Sequence, residues 1–427
     1  MNYYPQEMRH NLTENKLSLV TPPSYQCYDC SGCGDCCRGK FAINISEEDY
    51  KRIIDQGWQN EEEYNNIKIA VKKGNRYRLA HHVDGTCIFL NEQGLCKIHA
   101  KFGEPEKPLP CRLYPFRFIQ IGKQVRLDIR FDCPQVAGNK GKPITTKRQY
   151  LSELMPQLTS ESKINIEPVL YGNVKVEWAQ LCRITEAFER ILNYKELSLS
   201  DRIIGCVNMS SLLYNPKIAS LHGGELSTFL TAISDKIINS ALETTVQRVP
   251  PTAMVRFLFR QIMTIYTRED RVGDKTSLTK RLSTMLNMIN GKGLIPELRK
   301  DMPQVNFEDI EQSFCRPAPH NEDIFTRYYK MRLTGMGFFG DNFYNRSYLD
   351  GIMALWLTYP VINWIARVYT VADDLDAPNK QAMINAIMIM SHQHGASPIF
   401  NLFSEQIRTR FLCERTNLRS LIVWYGY

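Results

Sequence analysis

Cys30-Ser31-Gly32-Cys33-Gly34-Asp35-Cys36-Cys37 sets four thiols within eight residues. Two-residue spacing lets a tight backbone turn present successive sulfurs to one metal ion or cluster. Gly32 and Gly34 supply the backbone freedom that such a turn requires. Cys36 and Cys37 are adjacent, and neighbouring side chains ordinarily point apart. One of the two then serves a second site or is not a ligand.

Outward from this stretch, Cys27 precedes it and Cys87, Cys96, Cys111 and Cys133 follow, so nine of 13 cysteines fall between residues 27 and 133. Cys182, Cys206, Cys315 and Cys413 are scattered, and the first two lie in helical patterns that read as core. With 427 residues and 43% hydrophobic content, the chain buries a sizeable core without staples. Met1 to His10 has no apolar h-region, which argues against a secretory signal. The uncharged stretch between Asp350 and Arg367 is short for a membrane span and contains Pro360 and Asn363, so it reads as a buried helix or helix pair. The expected location is cytoplasmic, where thiols stay reduced and do not form a disulfide framework. Cys27, Cys30, Cys33, Cys36, Cys37, Cys87, Cys96, Cys111 and Cys133 are therefore candidate metal ligands.

Thiolate ligation concentrates negative charge. Arg38, Lys40, Lys97 and Arg112 stand beside cysteines and are expected to offset it. Residues 1–150 carry 23 Lys and Arg against 17 Asp and Glu, most of the chain's net +8. Zinc and a 4Fe–4S iron–sulfur cluster both accept four thiolates, so spacing leaves both open. The surplus of cysteines over four favours a polynuclear cluster or two sites. His99, three residues after Cys96, is a further candidate ligand or a hydrogen-bond donor to sulfur. His392 and His394, two apart at an apparent helix end, diverge and do not share a metal.

The fold class is α+β. A small cysteine-rich domain with short strands and a β-hairpin spans about 20–137, and a larger, mostly α-helical domain spans 150–427. Phe41 to Ile45 alternates like a strand; Ser46 then caps a helix whose first turn holds Glu47, Glu48 and Asp49, with Gly57 as its stop. Phe116, Phe118 and Ile121, then Gly122-Lys123, then Val125, Leu127, Ile129 and Phe131 predict a hairpin with a II′ turn. Its register pairs Ile121 with Gln124 and, carried outward, sets Cys133 opposite Arg112, beside Cys111. A loop at Asn91–Gly94 places Cys96 opposite Phe89. Gly138 to Pro143 reads as a linker. Helical spacing follows at Ile184, Ala187, Phe188, Ile191 and Leu192, and at Val255, Leu258, Phe259 and Ile262.

Together, Cys30–Cys37, Cys87-Ile-Phe-Leu90, Cys96-Lys-Ile-His99, Cys111-Arg-Leu-Tyr-Pro115 and the late Cys133 resemble the CxxCxxCC cysteine-cluster family of zinc- or iron-chelating domains. That family includes the bacterial flagellin lysine N-methylases, in which an iron–sulfur cluster is implicated in methyl transfer. Arg327-Tyr-Tyr329, Phe338-Phe-Gly340 and the aromatic stretch from Tyr348 resemble their C-terminal part more weakly. The resemblance implies a bacterial protein lysine N-methyltransferase with an iron–sulfur cluster, S-adenosylmethionine as donor and a flagellin-like protein substrate. Such an enzyme needs a cleft between the domains. Tyr328, Tyr329, Phe338, Phe339, Phe343, Tyr344 and Tyr348 are the expected aromatic wall, or else core. The alternative is a non-enzymatic zinc- or iron-binding protein, for metal delivery, electron transfer or structural zinc.

Two further patterns carry less. Gly335-Met-Gly337-Phe-Phe-Gly340 matches the dinucleotide fingerprint, but no buried strand precedes it, so an inter-helix loop is expected. No basic patch interleaved with aromatics is present, so nucleic acid is not an expected partner.

Overall fold

In the hairpin, strands Phe116–Ile121 (β5) and Gln124–Ile129 (β6) pair antiparallel with Ile121 opposite Gln124 and Phe116 opposite Ile129. The positive φ of the turn, 57°, falls at Gly122, its first residue. The structure is a computed structural model, and it describes residues 17–38, 42–74, 76–158, 168–243, 248–269, 278–311 and 319–426. Phe41, Lys40 and Cys315 lie outside the described residues. Ser18–Leu19 (β1) adds a parallel edge to β6.

A second sheet has the order β2-β4-β3, from Asn44–Ile45 (β2), Ala70–Lys73 (β3) and Arg76–Leu79 (β4). The strand expected from Phe41 is thus only two residues long where described. Ser46 caps the helix Glu47–Asp55, its Oγ accepting the Asp49 N–H at 3.0 Å. This helix and sheet enclose a small core of Ile43, Ile45, Ile53, Trp58, Tyr64, Ile69, Leu79, Ile88, Phe89 and Ile98.

The hairpin belongs to a different and much larger core. Ile119, Leu127, Ile129 and Phe131 pack with helices Trp178–Leu192, Leu199–Leu212, Ala253–Tyr266, Pro319–Gly335 and Tyr348–Ala372. The last is one continuous helix through Pro360, and 94% of its most apolar window is buried inside the protein. It is long and apolar enough to cross a membrane by composition alone, but here it is the central core helix. A buried ion pair, Arg332 Nη1 to Asp128 Oδ2 at 2.6 Å, fastens the helix Pro319–Gly335 to β6.

The segment expected as a linker is instead a strap. The Tyr28 and Asp29 N–H groups donate to the carbonyls of Lys142 and Lys140, and Cys27 pairs antiparallel with Pro143. Asp29 in turn accepts the Lys142 N–H and pairs with Lys147. Side-chain chemistry at Asp29 and Asn139, which no periodicity reveals, converts a turn-rich run into an anchor for the cysteine segment.

Candidate metal centre

The Cys30–Cys37 loop turns where glycine allows it. Gly32 and Gly34 both take φ of 69°, and a Cβ on Gly34 would stand 2.5 Å from the Gly94 carbonyl oxygen. The loop therefore packs directly on the turn that carries Cys96. In that turn the Asn91 N–H donates to Leu95 O, the Gly94 N–H donates to Asn91 O, and Gly94 has φ 78°. This is a three-residue loop with glycine in the left-handed position. Asn91 Oδ1 also accepts the Leu95 N–H at 2.7 Å, closing the loop one residue earlier than expected. Cys96 accordingly pairs with Leu90, not Phe89.

Backbone bonds bring the remaining thiols to the same place. The Cys87 N–H donates to Cys37 O at 2.8 Å. Cys111 sits in the short helix Leu109–Leu113, whose Leu109 N–H donates to the Asp49 carboxylate. The hairpin pairing does not extend to this helix. It stops at Phe116 and Ile129 with one further bond from the Arg130 N–H to Pro115 O. Cys111 then lies in the helix Leu109–Leu113, while Cys133 caps the helix Pro134–Ala137. The extrapolated pairing of Cys133 with Arg112 fails because both chains leave the extended conformation.

Six of the nine candidate cysteines, Cys30, Cys36, Cys37, Cys87, Cys96 and Cys111, line one cavity of about 1050 Å³. The Sγ atoms of Cys36 and Cys37 are 3.9 Å apart, so the adjacent pair does not diverge. Cys27, Cys33 and Cys133 are not in its wall. Cys206 and Cys413 are buried in the helical core and Cys182 packs against it, its sulfur facing Arg126 Nη2 at 3.2 Å. Among the described residues no three Cys, His, Asp or Glu side chains stand as a closed set around a single ion.

The thiols influence one another electrostatically. Burial pushes the Cys87 thiol up to about 12, against the opposing Phe89 N–H and with thiolate charge at Cys96 and Cys36 adding to the rise. Burial raises Cys111 as well, reinforced by Cys87, Cys96 and Cys36 and opposed by Lys107. The Cys37 thiol, then burial, raise Cys36, and Lys107 opposes them. Charge at Cys36 and Cys96 thus bears on both Cys87 and Cys111, while the nearest thiol to act on Cys36 is its neighbour Cys37. Cys133 belongs elsewhere. Burial brings it to about 12, its charged neighbours are Asp132 and Cys33, and two backbone N–H groups at the helix start oppose the rise. A bound cation reverses this balance, because thiolates that burial disfavours are stabilised by metal charge and the displaced protons leave.

Of the expected compensating charges, Lys97 is tied to Glu63 and Arg112 to Glu104. Lys107, Arg76, Arg78 and Arg130 line the cavity instead. Sequence spacing from the cysteines missed them; the alternation Arg76-x-Arg78 on one strand face was the available signal. His99 is in the wall, as is His392 from the end of the helix Lys380–Gln393. His392 Nδ1 lies 3.3 Å from Asp132 Oδ2, which Arg130 also contacts, while the Tyr114 hydroxyl donates to Asp132 Oδ1. His394 diverges as expected, its Nδ1 lying 3.0 Å from the Tyr266 hydroxyl in the core. Gln393, Ala396, Ser397 and Pro398 complete the helical side, so the cavity is a cleft between the cysteine-rich and helical parts. The aromatic run does not wall it. Tyr328, Tyr329, Phe338, Phe339, Phe343 and Tyr348 are buried core residues, and Tyr344 packs against them.

The donor set fits a thiophilic metal: soft sulfur ligands, a nearby lysine and an enclosing low-dielectric wall. No curated protein and no solved structure matches the chain. Residues 29–134 match the model of the CxxCxxCC family, described as a putative zinc- or iron-chelating domain.

Proposed function

We propose that the protein holds a metal centre, an iron–sulfur cluster, on Cys36, Cys87, Cys96 and Cys111, within a cysteine-rich domain at 20–137 that faces a helical domain at 150–427. The observation that carries this reading is the convergence of these four thiols, with Cys30 and Cys37, on the wall of one cavity. Cys37 and Cys30, in the same wall, are alternates to Cys36 or ligands to additional iron. Cys27, Cys33 and Cys133 form an outer group that shields the centre or binds a second ion. The cavity's size and the surplus of thiols favour a cluster over a single zinc ion. When bound, such a cluster supplies electron transfer or Lewis acidity; the chain supplies thiolate ligands, positive charge from Lys107 and enclosure from the helical wall.

Methyl transfer to a protein lysine, with S-adenosylmethionine as donor, rests on the family resemblance. The inter-domain cleft supports it to the extent that it leaves room for a donor beside the cluster. A cytoplasmic location accords with reduced thiols.

Anaerobic purification followed by iron, zinc and acid-labile sulfide analysis tests the metal assignment. Iron and sulfide in comparable amounts, with a broad visible absorption band, are expected. Stoichiometric zinc without sulfide would replace the cluster with a zinc centre.

A further inference from the structure

Four cations, Arg76, Arg78, Lys107 and Arg130, line the cavity beside its thiols. Arg76 and Arg78 lie two residues apart on β4, so their side chains share one face of the strand, and both line the cavity. Among the described residues neither forms an ion pair or a side-chain hydrogen bond. Lys73 stands directly opposite Arg76 across the sheet, a like-charge pairing that destabilises a sheet unless an anion relieves it. Among the described residues no Asp or Glu lines the cavity.

Part of the wall beside them is aliphatic. Ile43, Leu79, Leu95 and Ile98 face the same space. Arg76 is exposed and Arg78 is half-buried, so both guanidinium groups are within reach of a solvent-borne ligand. A volume of about 1050 Å³ exceeds what a metal centre fills and is at the upper end of ordinary small-molecule pockets.

We propose that this cavity binds an amphipathic small molecule bearing an oxyanion, carboxylate or phosphate, whose charged end is held by Arg76 and Arg78 while its apolar body lies against the aliphatic wall beside the cysteines. The paired guanidinium forks suit planar, bidentate recognition of an oxyanion. The proposal rests on the reading that this cavity is the functional site, and it is independent of which metal the cysteines hold.

The test uses the full chain with its metal in place and two fluorescent probes of the same body. 1-Anilinonaphthalene-8-sulfonate carries an anion; N-phenyl-1-naphthylamine does not. The sulfonate is expected to bind, and R76Q/R78Q is expected to weaken it by about tenfold without changing the neutral probe. Inorganic pyrophosphate competing where citrate does not assigns a phosphate ligand, and the reverse assigns a carboxylate. Competition by neither, or undiminished sulfonate binding to R76Q/R78Q, overturns the proposal. Metal content is read in the same samples. R76Q/R78Q should keep its full metal; loss of metal together with the sulfonate would reassign the arginines to thiolate charge and overturn the anion site. Metal-free wild type that still binds the sulfonate would leave the anion site standing while the metal reading falls.

Discussion

His392, in the last turn of a helix from the C-terminal half, sets its Nδ1 3.3 Å from Oδ2 of Asp132, the residue that precedes Cys133. This contact joins the helical wall to the cysteine-rich domain at the edge of the cavity. Asp132 is buried, and burial alone would raise its carboxyl. Arg130 and His392 outweigh that and hold it well below the usual carboxylate range.

Asp132→Asn is therefore expected to destabilise the protein by about 2–3 kcal/mol, because Arg130 loses its counter-charge in a partly buried setting. Urea unfolding at neutral pH measures this. Since the folded carboxyl titrates below the unfolded one, the stabilisation is present above the unfolded pKa and disappears as pH falls through the folded one. An unchanged urea midpoint would show that the contact does not link the two parts.

His394 gives a different pH signature. Burial, then the charges of Arg332, Arg346 and Arg117, press its pKa well below the ordinary histidine value. Below about pH 6.5 the unfolded chain binds a proton that the folded one refuses, so stability falls with falling pH. Between pH 7.5 and 5.5 this one group should therefore lower stability by on the order of 1 kcal/mol. His394→Gln is expected to flatten that limb of the stability profile; a profile identical to wild type would contradict the assignment.

The glycines that mimic a dinucleotide fingerprint have a packing reason. A Cβ on Gly335 would stand 2.7 Å from the Asp128 Cβ and 3.0 Å from its Cα, and one on Gly337 would stand 2.9 Å from Asp128 Oδ2. Contrary to the expected inter-helix loop, Gly335 is the last residue of the helix Pro319–Gly335, while Gly337 follows in the connection to Tyr348–Ala372, and both press on β6. Gly335→Ala should cost about 1–3 kcal/mol through overpacking. Equilibrium unfolding reads the cost, and a variant as stable as wild type would refute the close approach.

The sequence made the hairpin, the Ser46 cap and the buried helices legible, because each rests on local periodicity or a single capping residue. The cysteine motif likewise announced the domain. Three features were not legible for physical reasons. The 91–94 loop shifted its register because the Asn91 side chain closes it, and a side-chain bond leaves no periodic trace. The 138–143 segment looked like a linker because its anchors, Asp29 and Asn139, act across more than a hundred residues. The aromatic run read equally as a cleft wall or as core, because residue type alone does not distinguish the two. Of the cavity, the sequence revealed the thiols but not the charges around them, which arrive on other strands and helices.

The central claim is that Cys36, Cys87, Cys96 and Cys111 act as one ligand set. Metal content of Cys87→Ser, Cys96→Ser and Cys111→Ser, purified anaerobically beside Cys206→Ser as a core control, tests it most directly. The three cavity variants are expected to lose most of their metal while Cys206→Ser keeps it; full metal retention in all three would contradict the account.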